Sequence, residues 1–392
     1  MNTRSPTLPL LALAVGAFGI GTTEFSPMGL LPVIAAGVNV SIPTAGLLVS
    51  AYAVGVMVGA PFVTLGFAKM RARTALILLM AIFTIGNVLS AMAPGYATLL
   101  VSRVVTSMAH GAFFGIGATV AAGLVPKSKR ASAVATMFAG LTLANVGGVP
   151  AVTWLGQAAG WRTVFLCIAV IGIVAMAAVA FALPKIEEPR QAGHWRDELR
   201  VMGSGPVLNA LGTTVVGASA MFALYTYVAP FLKDVTHAGP GFVTATLVVI
   251  GVGFTIGNYL GGRFADRSID KTLYFFLGLL GVSLLVMPVL ARTEVGALLG
   301  MLVFGIAAFA VVPPVQMRVM HAAADAPGLA SSVNIGAFNL GNAVGAAAGS
   351  VMIDAGLGYS AVPLAGTAAA VLGMVLVWWG KRFQPGEAAA AA

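Results

Sequence analysis

The stretch "PKIEEPRQAGHWRDELRVMGSGP", residues 184–206, is the only long polar stretch in the middle of this sequence. Six long apolar segments precede it and six follow it. Polar segments of this kind connect separately packed parts of a chain, since few contacts cross them. The sequence therefore predicts two six-helix halves, residues 1–183 and 207–382, joined by a cytoplasmic linker at 184–206 and followed by a disordered tail at 383–392.

The amino-acid composition indicates whether these halves lie in water or in a membrane. Of 392 residues, 59% are hydrophobic and 8% are charged, whereas about a quarter of the residues in soluble domains are charged. The apolar residues form runs of about 20 residues, which is the pattern of membrane-spanning helices rather than of alternating barrel strands. The sequence therefore predicts an all-α integral membrane protein.

Twelve apolar segments are long enough to span a membrane. We predict spans 1 to 12 at residues 8–36, 43–67, 74–94, 97–124, 131–156, 162–183, 207–232, 241–263, 272–291, 295–318, 329–353 and 359–380. The first segment is interpreted as a retained span rather than a signal peptide, because no small-residue cleavage site follows its apolar run.

Lysine and arginine residues cluster in alternate connections between the spans. If the N-terminus lies in the cytoplasm, seventeen of the 21 Lys and Arg residues fall in cytoplasmic segments and three on the opposite side. This asymmetry predicts that both termini are cytoplasmic. It also explains the net charge of +9 without a nucleic-acid partner.

The clear cases of ionisable residues deep within the predicted spans are Glu24 in span 1 and Arg103 and His110 in span 4. Glu24 lies 12 residues from the outer end of its span and His110 lies 13 residues from that of span 4. At 1.5 Å per residue, both are about 18 to 20 Å deep. Arg103 lies two helical turns nearer the outside and on the same face as His110.

A charge at this depth is costly and usually functional. We therefore predict that Glu24 carries a proton and that Arg103 and His110 modulate it. Two structural alternatives stay open. Glu24 and Arg103 could form a static pair that joins spans 1 and 4, and His110 could make an ordinary interhelical hydrogen bond.

The two halves echo each other after their second spans, where "GFAKMRART" (66–74) and "RFADRSIDK" (263–271) each follow an apolar segment. The segment "GGRFADRSIDK" (261–271) resembles the loop signature of the major facilitator superfamily. That resemblance implies a parallel repeat of six spans and a role for Asp266 and Arg267 at a cytoplasmic gate. In the first half, Lys69 stands where the signature has an acidic residue.

Further motifs resemble one branch of that superfamily, the twelve-spanner drug:proton antiporters that include sugar-efflux, arabinose-efflux and chloramphenicol-resistance proteins. These motifs are "GTTEF" (21–25), "SRVVTSMAHGAFFG" (102–115), "GWRTVF" (160–165) and "AFNLGNAVGAAAG" (337–349). Exporters of this kind usually carry a glycine-rich stretch ending in Gly-Pro within span 5. Here Val149 separates Gly148 from Pro150, and we expect these two residues to take part in gating.

The resemblance also implies that the first and fourth spans of each half line a substrate cavity. On that basis the candidate substrate-binding residues are Phe113, Phe114, Met221, Phe222, Tyr225, Gln316 and Asn339. Ordinary packing between helices is an alternative for each of them, because aromatic and methionine side chains at helical spacing commonly fill helix interfaces.

The function predicted from these features is proton-coupled export of a small organic solute, such as a drug, sugar or nucleoside, across the bacterial inner membrane by alternating access. A proton-coupled or facilitative importer, a membrane-embedded enzyme and a solute sensor are the alternatives. The sequence contains no HExxH, G-x-S-x-G or Walker A motif, so we expect no enzyme activity, cofactor, metal or ATP. The expected partners are protons, a small-molecule substrate and the lipid bilayer, with the chain acting as a monomer.

Overall fold

The structure is a computed structural model that describes residues 6–184 and 195–383. The predicted tail beyond Phe383 and the first part of the predicted linker lie outside the described residues. Within the described residues there are sixteen α-helices and no β-strand. The predicted all-α fold class is confirmed.

Seven α-helices make up the first half of the chain. They are α1 (Thr7–Gly37), α2 (Ile42–Gly66), α3 (Ala72–Met92), α4 (Tyr96–Gly123), α5 (Arg130–Leu143), α6 (Val149–Ala159) and α7 (Trp161–Ala182). A π-helical turn, Ala144–Gly148, joins α5 to α6 without a break, so that together they form the predicted span 5.

Nine α-helices follow. They are α8 (Trp195–Met202), α9 (Gly205–Tyr225), α10 (Val228–Val235), α11 (Pro240–Ala265), α12 (Ile269–Leu290), α13 (Glu294–Ala310), α14 (Val312–Ala322), α15 (Pro327–Asp354) and α16 (Val362–Gly380). The segment predicted as a linker therefore contains a short helix, α8. This helix is strongly amphipathic, and its Val201 and Met202 pack against a buried cluster that includes Val207 and Val319.

Two predicted spans are interrupted in the structure, and proline explains both interruptions. Span 7 breaks between α9 and α10, four residues before Pro230. Span 10 breaks at Val311, just before Pro313 and Pro314. A proline lacks the N–H that would bond to the carbonyl four residues earlier, and its ring clashes with that carbonyl.

Eleven segments in the described residues are long and apolar enough to cross a membrane. The segment predicted as span 11 forms the 28-residue helix α15, which is long enough but falls short in hydropathy. Its asparagines Asn334, Asn339 and Asn342 lower the mean. The number of twelve spans and the cytoplasmic termini therefore stay predictions.

The chain divides into two compact units. Unit 1 contains residues 1–192 and 331–339, and unit 2 contains residues 193–330 and 340–392. In unit 1, α1 packs against α5 and α7, α2 against α4, and α3 against both α4 and α7. The predicted domain boundaries stay predictions.

In unit 2, α11 packs against α13, and glycines make a close approach of these two helices possible. Gly253, Gly257 and Gly261 recur every fourth residue on α11. A Cβ atom at Gly253 would lie 2.8 Å from the carbonyl oxygen of Leu302. Small residues at this spacing let two helix backbones approach closely in a membrane.

Candidate functional site

The candidate site is a group of buried polar side chains in unit 1, which we call the polar cluster. Its members are Thr23 on α1, Tyr52 on α2, Asn87 on α3, and Arg103 and His110 on α4. Each of these side chains is at most 3% exposed. Four helices thus contribute to one polar region within the predicted spans.

Arg103 lies at the centre of the polar cluster. One Nη atom donates to Thr23 Oγ1 at 2.9 Å, and the other donates to the Thr23 carbonyl at 2.8 Å. The guanidinium also lies 4.4 Å from the ring centroid of Tyr52 and 5.7 Å from that of Phe165. Its Nε has no hydrogen-bond partner among the described residues. Neutral groups and aromatic faces therefore surround this cation.

Thr23 and Asn87 extend the network from α1 to α3. The Thr23 hydroxyl donates to Asn87 Oδ1 at 2.8 Å, and Asn87 Nδ2 donates to the Phe83 carbonyl at 2.8 Å. Between α3 and α4, the hydroxyl oxygens of Ser90 and Ser102 lie 2.8 Å apart. Buried polar groups in apolar surroundings are expensive unless they are paired in this way.

His110 is joined to the same cluster through Tyr52. The Tyr52 hydroxyl lies 3.2 Å from His110 Nδ1, and the His110 ring lies 5.2 Å from the ring of Phe114. Tyr52 therefore contacts Arg103 with its face and His110 with its hydroxyl. The predicted alternative of an interhelical hydrogen bond for His110 matches this contact.

Glu24 follows Thr23 on α1 and is half-buried. It interacts electrostatically with Arg103 and Tyr52. Among the described residues, however, neither Glu24 nor Arg103 has an ion-pair partner within 4.0 Å, because the single pair found there joins Arg318 and Asp270. The static pair of Glu24 and Arg103, one of the two structural alternatives, is therefore absent as a direct contact.

The candidate substrate residues of unit 1 are packed inside it. Phe113 and Phe114 are 0% and 1% exposed. The Phe113 ring lies against Gly16 of α1, and the Phe114 ring stacks on Phe138 with a centroid distance of 4.9 Å. Asn339, which belongs to the same unit, donates to the Ile335 carbonyl at 2.9 Å.

The candidates of unit 2 include part of a row of aromatic rings. Phe222 and Tyr225 have ring centroids 6.2 Å apart, Tyr225 and Phe254 lie 5.3 Å apart, and Phe254 stacks on Phe309 at 4.2 Å. Sequence analysis missed the last two rings, which lie on α11 and α13. Met221 and Gln316 are 2% and 1% exposed.

The predicted gate residues line a cavity of about 630 Å³ in unit 2. Asp266 and Arg267 are on its wall, together with Asp270, Arg318 and His321. Arg318 forms an ion pair with Asp270. Asp270, which the sequence analysis did not single out, therefore holds the buried arginine of this cavity, while the predicted roles of Asp266 and Arg267 stay predictions.

Gly148 and Pro150 flank the change from the π-helical turn to α6. A Cβ atom on Gly148 would lie 2.6 Å from Thr22 Oγ1 and 3.2 Å from the ring of Phe18. Glycine is therefore required for the close approach of this segment to α1. Single π-helical turns often occur at functional positions.

No group of three or more His, Cys, Asp or Glu side chains that could hold a metal ion occurs in the described part of the chain. Buried ionisable groups within apolar helices that pack through glycine-rich contacts are typical of membrane transporters. The chain belongs to the Major Facilitator Superfamily, whose sequence profile matches residues 13–346.

Named relatives agree with this assignment. The chain is 64% identical to the "Inner membrane transport protein YdhP" of Escherichia coli K12 over 377 residues, which are 96% of this chain and 97% of the relative. It is 34% identical to the "Chloramphenicol resistance protein" of Streptomyces lividans, with 90% of each chain covered. These matches confirm the predicted family. They also confirm that the chain is a transporter rather than an enzyme and that it is a multi-pass protein of the bacterial inner membrane.

The fold has also been seen in a solved structure. A structure of the E. coli fucose:proton symporter FucP matches with a TM-score of 0.75 and 14% sequence identity, and the match covers 96% of this chain and 99% of that one. At this identity the likeness shows the fold alone. It supports the helical architecture of the superfamily.

Proposed function

We propose that this transporter exports a small organic solute in exchange for protons by alternating access, and that Glu24 carries the proton. The observation that carries the proposal is the half-buried carboxylate of Glu24 beside a fully buried Arg103 with no direct ion pair between them. A carboxylate that is not locked in a contact pair can bind and release a proton as its surroundings change.

Arg103 and His110 modulate this proton site in the proposal. Arg103 supplies a fixed positive charge near Glu24, and His110 is linked to the aromatic neighbour of that charge, Tyr52. A positive charge in apolar surroundings favours the ionised carboxylate, whereas burial favours the protonated one. Movement of Arg103 or entry of a solute would change this balance.

Export is favoured over import by the relative from Streptomyces lividans, whose name describes chloramphenicol resistance. The aromatic residues proposed to contact substrate, Phe113, Phe114, Phe222 and Tyr225, suit a mostly apolar solute of this kind. Met221, Gln316 and Asn339 complete the proposed substrate-binding set.

The proposed gating residues lie at two places. Asp266 and Arg267 line the cavity of unit 2, and Gly148 and Pro150 adjoin the π-helical turn of unit 1. We further propose that the two six-helix halves, residues 1–183 and 207–382, act within a single chain, so that a monomer is the working form.

Proton movement in proteoliposomes tests the proposal. Purified protein is reconstituted with a pH-sensitive dye in the lumen and challenged with chloramphenicol, L-arabinose or inosine. We expect at least one of these solutes to move protons in the direction opposite to its own movement, and we expect Glu24→Gln to abolish that signal. Glu294→Gln, which changes an exposed carboxylate in the first turn of α13, is the matched control and keeps the signal.

Two results would contradict the proposal. Protons that move in the same direction as the solute indicate an importer of the symport type. Unchanged proton movement in Glu24→Gln places the proton site elsewhere in the chain.

A further inference from the structure

Arg103 is held in place by directional hydrogen bonds between neutral groups. Asn87 Nδ2 donates to the Phe83 carbonyl, so Asn87 Oδ1 is left to accept the Thr23 hydroxyl. Because Thr23 uses its proton in that bond, its oxygen presents lone pairs to the Arg103 Nη atom at 2.9 Å. The chain of donors and acceptors has one consistent direction from α4 through α1 to α3.

Thr23 lies next to the proposed proton carrier in the sequence. Thr23 immediately precedes Glu24, so the neutral partner of Arg103 is the chain neighbour of the carboxylate. Arg103 interacts electrostatically with Glu24, yet the two groups lie more than 4.0 Å apart by the ion-pair criterion. The guanidinium is thus close to the carboxylate but is held in place by two hydrogen bonds to the residue before it.

We propose that Thr23 and Asn87 are positioning residues that hold Arg103 beside Glu24 and prevent a contact ion pair between them. The proposal rests on the proton-carrier role proposed for Glu24. A contact pair would keep the carboxylate ionised and take it out of the transport cycle, because an opposite charge at short distance strongly favours the charged form. The neutral network keeps the positive charge near enough to influence Glu24 without locking it.

Few other charged groups can affect Glu24 in this region. Tyr52 on α2 interacts with both Glu24 and Arg103, and His110 lies on α4 next to Tyr52. On the other helices packed against α1, Arg130 and Arg162 lie in the first turns of α5 and α7, and α6 carries no charged residue. Arg103 is therefore the cation whose position matters most.

Removal of the Thr23 hydroxyl frees one Nη atom of Arg103 inside the apolar region. Removal of the Asn87 amide takes away the acceptor of the Thr23 hydroxyl proton. The Thr23 hydroxyl is then free to rotate, and its oxygen no longer presents its lone pairs to the Arg103 Nη atom in a fixed direction. In both cases the carboxylate of Glu24, one residue along α1, becomes the charged acceptor available to the guanidinium. A contact pair should then form.

Infrared difference spectroscopy of the purified full chain tests this without a transported solute. The C=O stretching band of a protonated carboxyl is followed across a pH titration, and its loss in Glu24→Gln assigns the band. The test variants are Thr23→Val and Asn87→Leu. The controls are Thr23→Ser, which keeps the hydroxyl, and Ser90→Ala, which removes a hydroxyl of α3 that bonds to Ser102 and the Gly86 carbonyl instead.

We expect the titration midpoint of Glu24 to fall by about one pH unit or more in Thr23→Val and Asn87→Leu, which is the size of effect caused by an opposite charge in contact. Thr23→Ser and Ser90→Ala should keep the midpoint of the unchanged protein. A midpoint that stays constant or rises in both test variants overturns the positioning role. If the unchanged protein shows no band that Glu24→Gln removes, the proton-carrier role of Glu24 fails first, and the positioning role fails with it.

Discussion

Each unit of the molecule buries an arginine, and the two arginines have different surroundings. Arg103 in unit 1 is 0% exposed and Arg318 in unit 2 is 9% exposed. Arg318 is paired with Asp270, and one of its Nη atoms also donates to Asn209 Oδ1 at 3.2 Å and to the Val377 carbonyl at 3.4 Å. Arg103 has neutral partners and aromatic rings in place of an acid.

The surroundings of Arg318 explain its burial by a contribution to stability, whereas those of Arg103 do not. Arg318 neutralises an acid and contacts a carbonyl in the last turn of α16, where a positive charge is favourable. Arg103 keeps its charge in the apolar region, where insertion scales give a cost of about 2.5–3.5 kcal/mol. A buried cation that has no contact ion pair is a strong candidate for a role in transport.

The two units also differ in what fills their interiors. Unit 1 buries Asn87, Ser90, Ser102, Thr106 and His110 on α3 and α4. Unit 2 has a row of aromatic rings on α9, α11 and α13, and it also buries polar side chains such as Asn258 and Gln316. In the proposed function, the proton site lies in unit 1, and each unit supplies aromatic residues to the proposed substrate-binding set.

Arg103→Leu should have a large effect on transport. We expect proton-coupled transport to fall by a factor of at least about ten, equivalent to about 1.4 kcal/mol, because Glu24 loses its neighbouring charge. The free energy of unfolding should change by less than about 1 kcal/mol, since the relief of charge burial offsets the loss of two hydrogen bonds. Transport in proteoliposomes and denaturant unfolding in detergent measure the two quantities. A variant that unfolds readily would make Arg103 a structural residue like Arg318.

Arg318→Leu should mainly lower the free energy of unfolding, in contrast to Arg103→Leu. This substitution breaks the ion pair between Arg318 and Asp270. We expect the free energy of unfolding to fall by about 2 kcal/mol, below the range for fully buried pairs because both groups are partly exposed. Adding Asp270→Leu should recover most of the loss, since replacing both partners is often nearly neutral. Denaturant unfolding of the single and double variants measures this. A double variant that is less stable than Arg318→Leu would show that Asp270 has a second stabilising role.

Much of the fold follows from the sequence because hydrophobicity alone sets the spans. The predicted span 4 at 97–124 matches α4, and the predicted span 6 at 162–183 matches α7, each within one residue at either end. The break between α9 and α10 was missed, although Pro230 signals it. The mean hydropathy of a long segment hardly changes when it contains one proline. The helix is nevertheless interrupted, because proline removes a backbone hydrogen bond.

The polar cluster was only partly predictable. Glu24, Arg103 and His110 stand out because charged groups are rare in apolar runs. Thr23 and Asn87 do not, because neutral polar residues occur in many membrane helices and their partners are distant in sequence. Thr23 bonds to residues 64 and 80 positions away, and single-sequence periodicity carries no information about such pairings. Asp270 was missed for a related reason, since the loop signature directs attention to Asp266.

Substitutions of Tyr52 should have the smallest effects, and they test selectively how its aromatic ring contributes to holding Arg103. Tyr52→Phe removes the hydroxyl that contacts His110 Nδ1 at 3.2 Å but keeps the ring that lies 4.4 Å from the Arg103 guanidinium. We expect a loss of about 1 kcal/mol or less in the free energy of unfolding, as for a single hydrogen bond. Tyr52→Leu also removes the ring, and the cation–π contact should add about 1 to 2 kcal/mol in this desolvated site.

The comparison of these two variants in denaturant unfolding isolates the contribution of the ring to holding Arg103. Equal losses in Tyr52→Phe and Tyr52→Leu would mean that the aromatic face of Tyr52 contributes nothing to holding Arg103. Phe254→Leu is the matched control in unit 2, because Phe254 is similarly buried and stacks on Phe309 rather than on a cation. If its loss equals that of Tyr52→Leu, ordinary aromatic packing accounts for Tyr52 as well, and the contrast between the units rests on Arg103 and its hydrogen bonds.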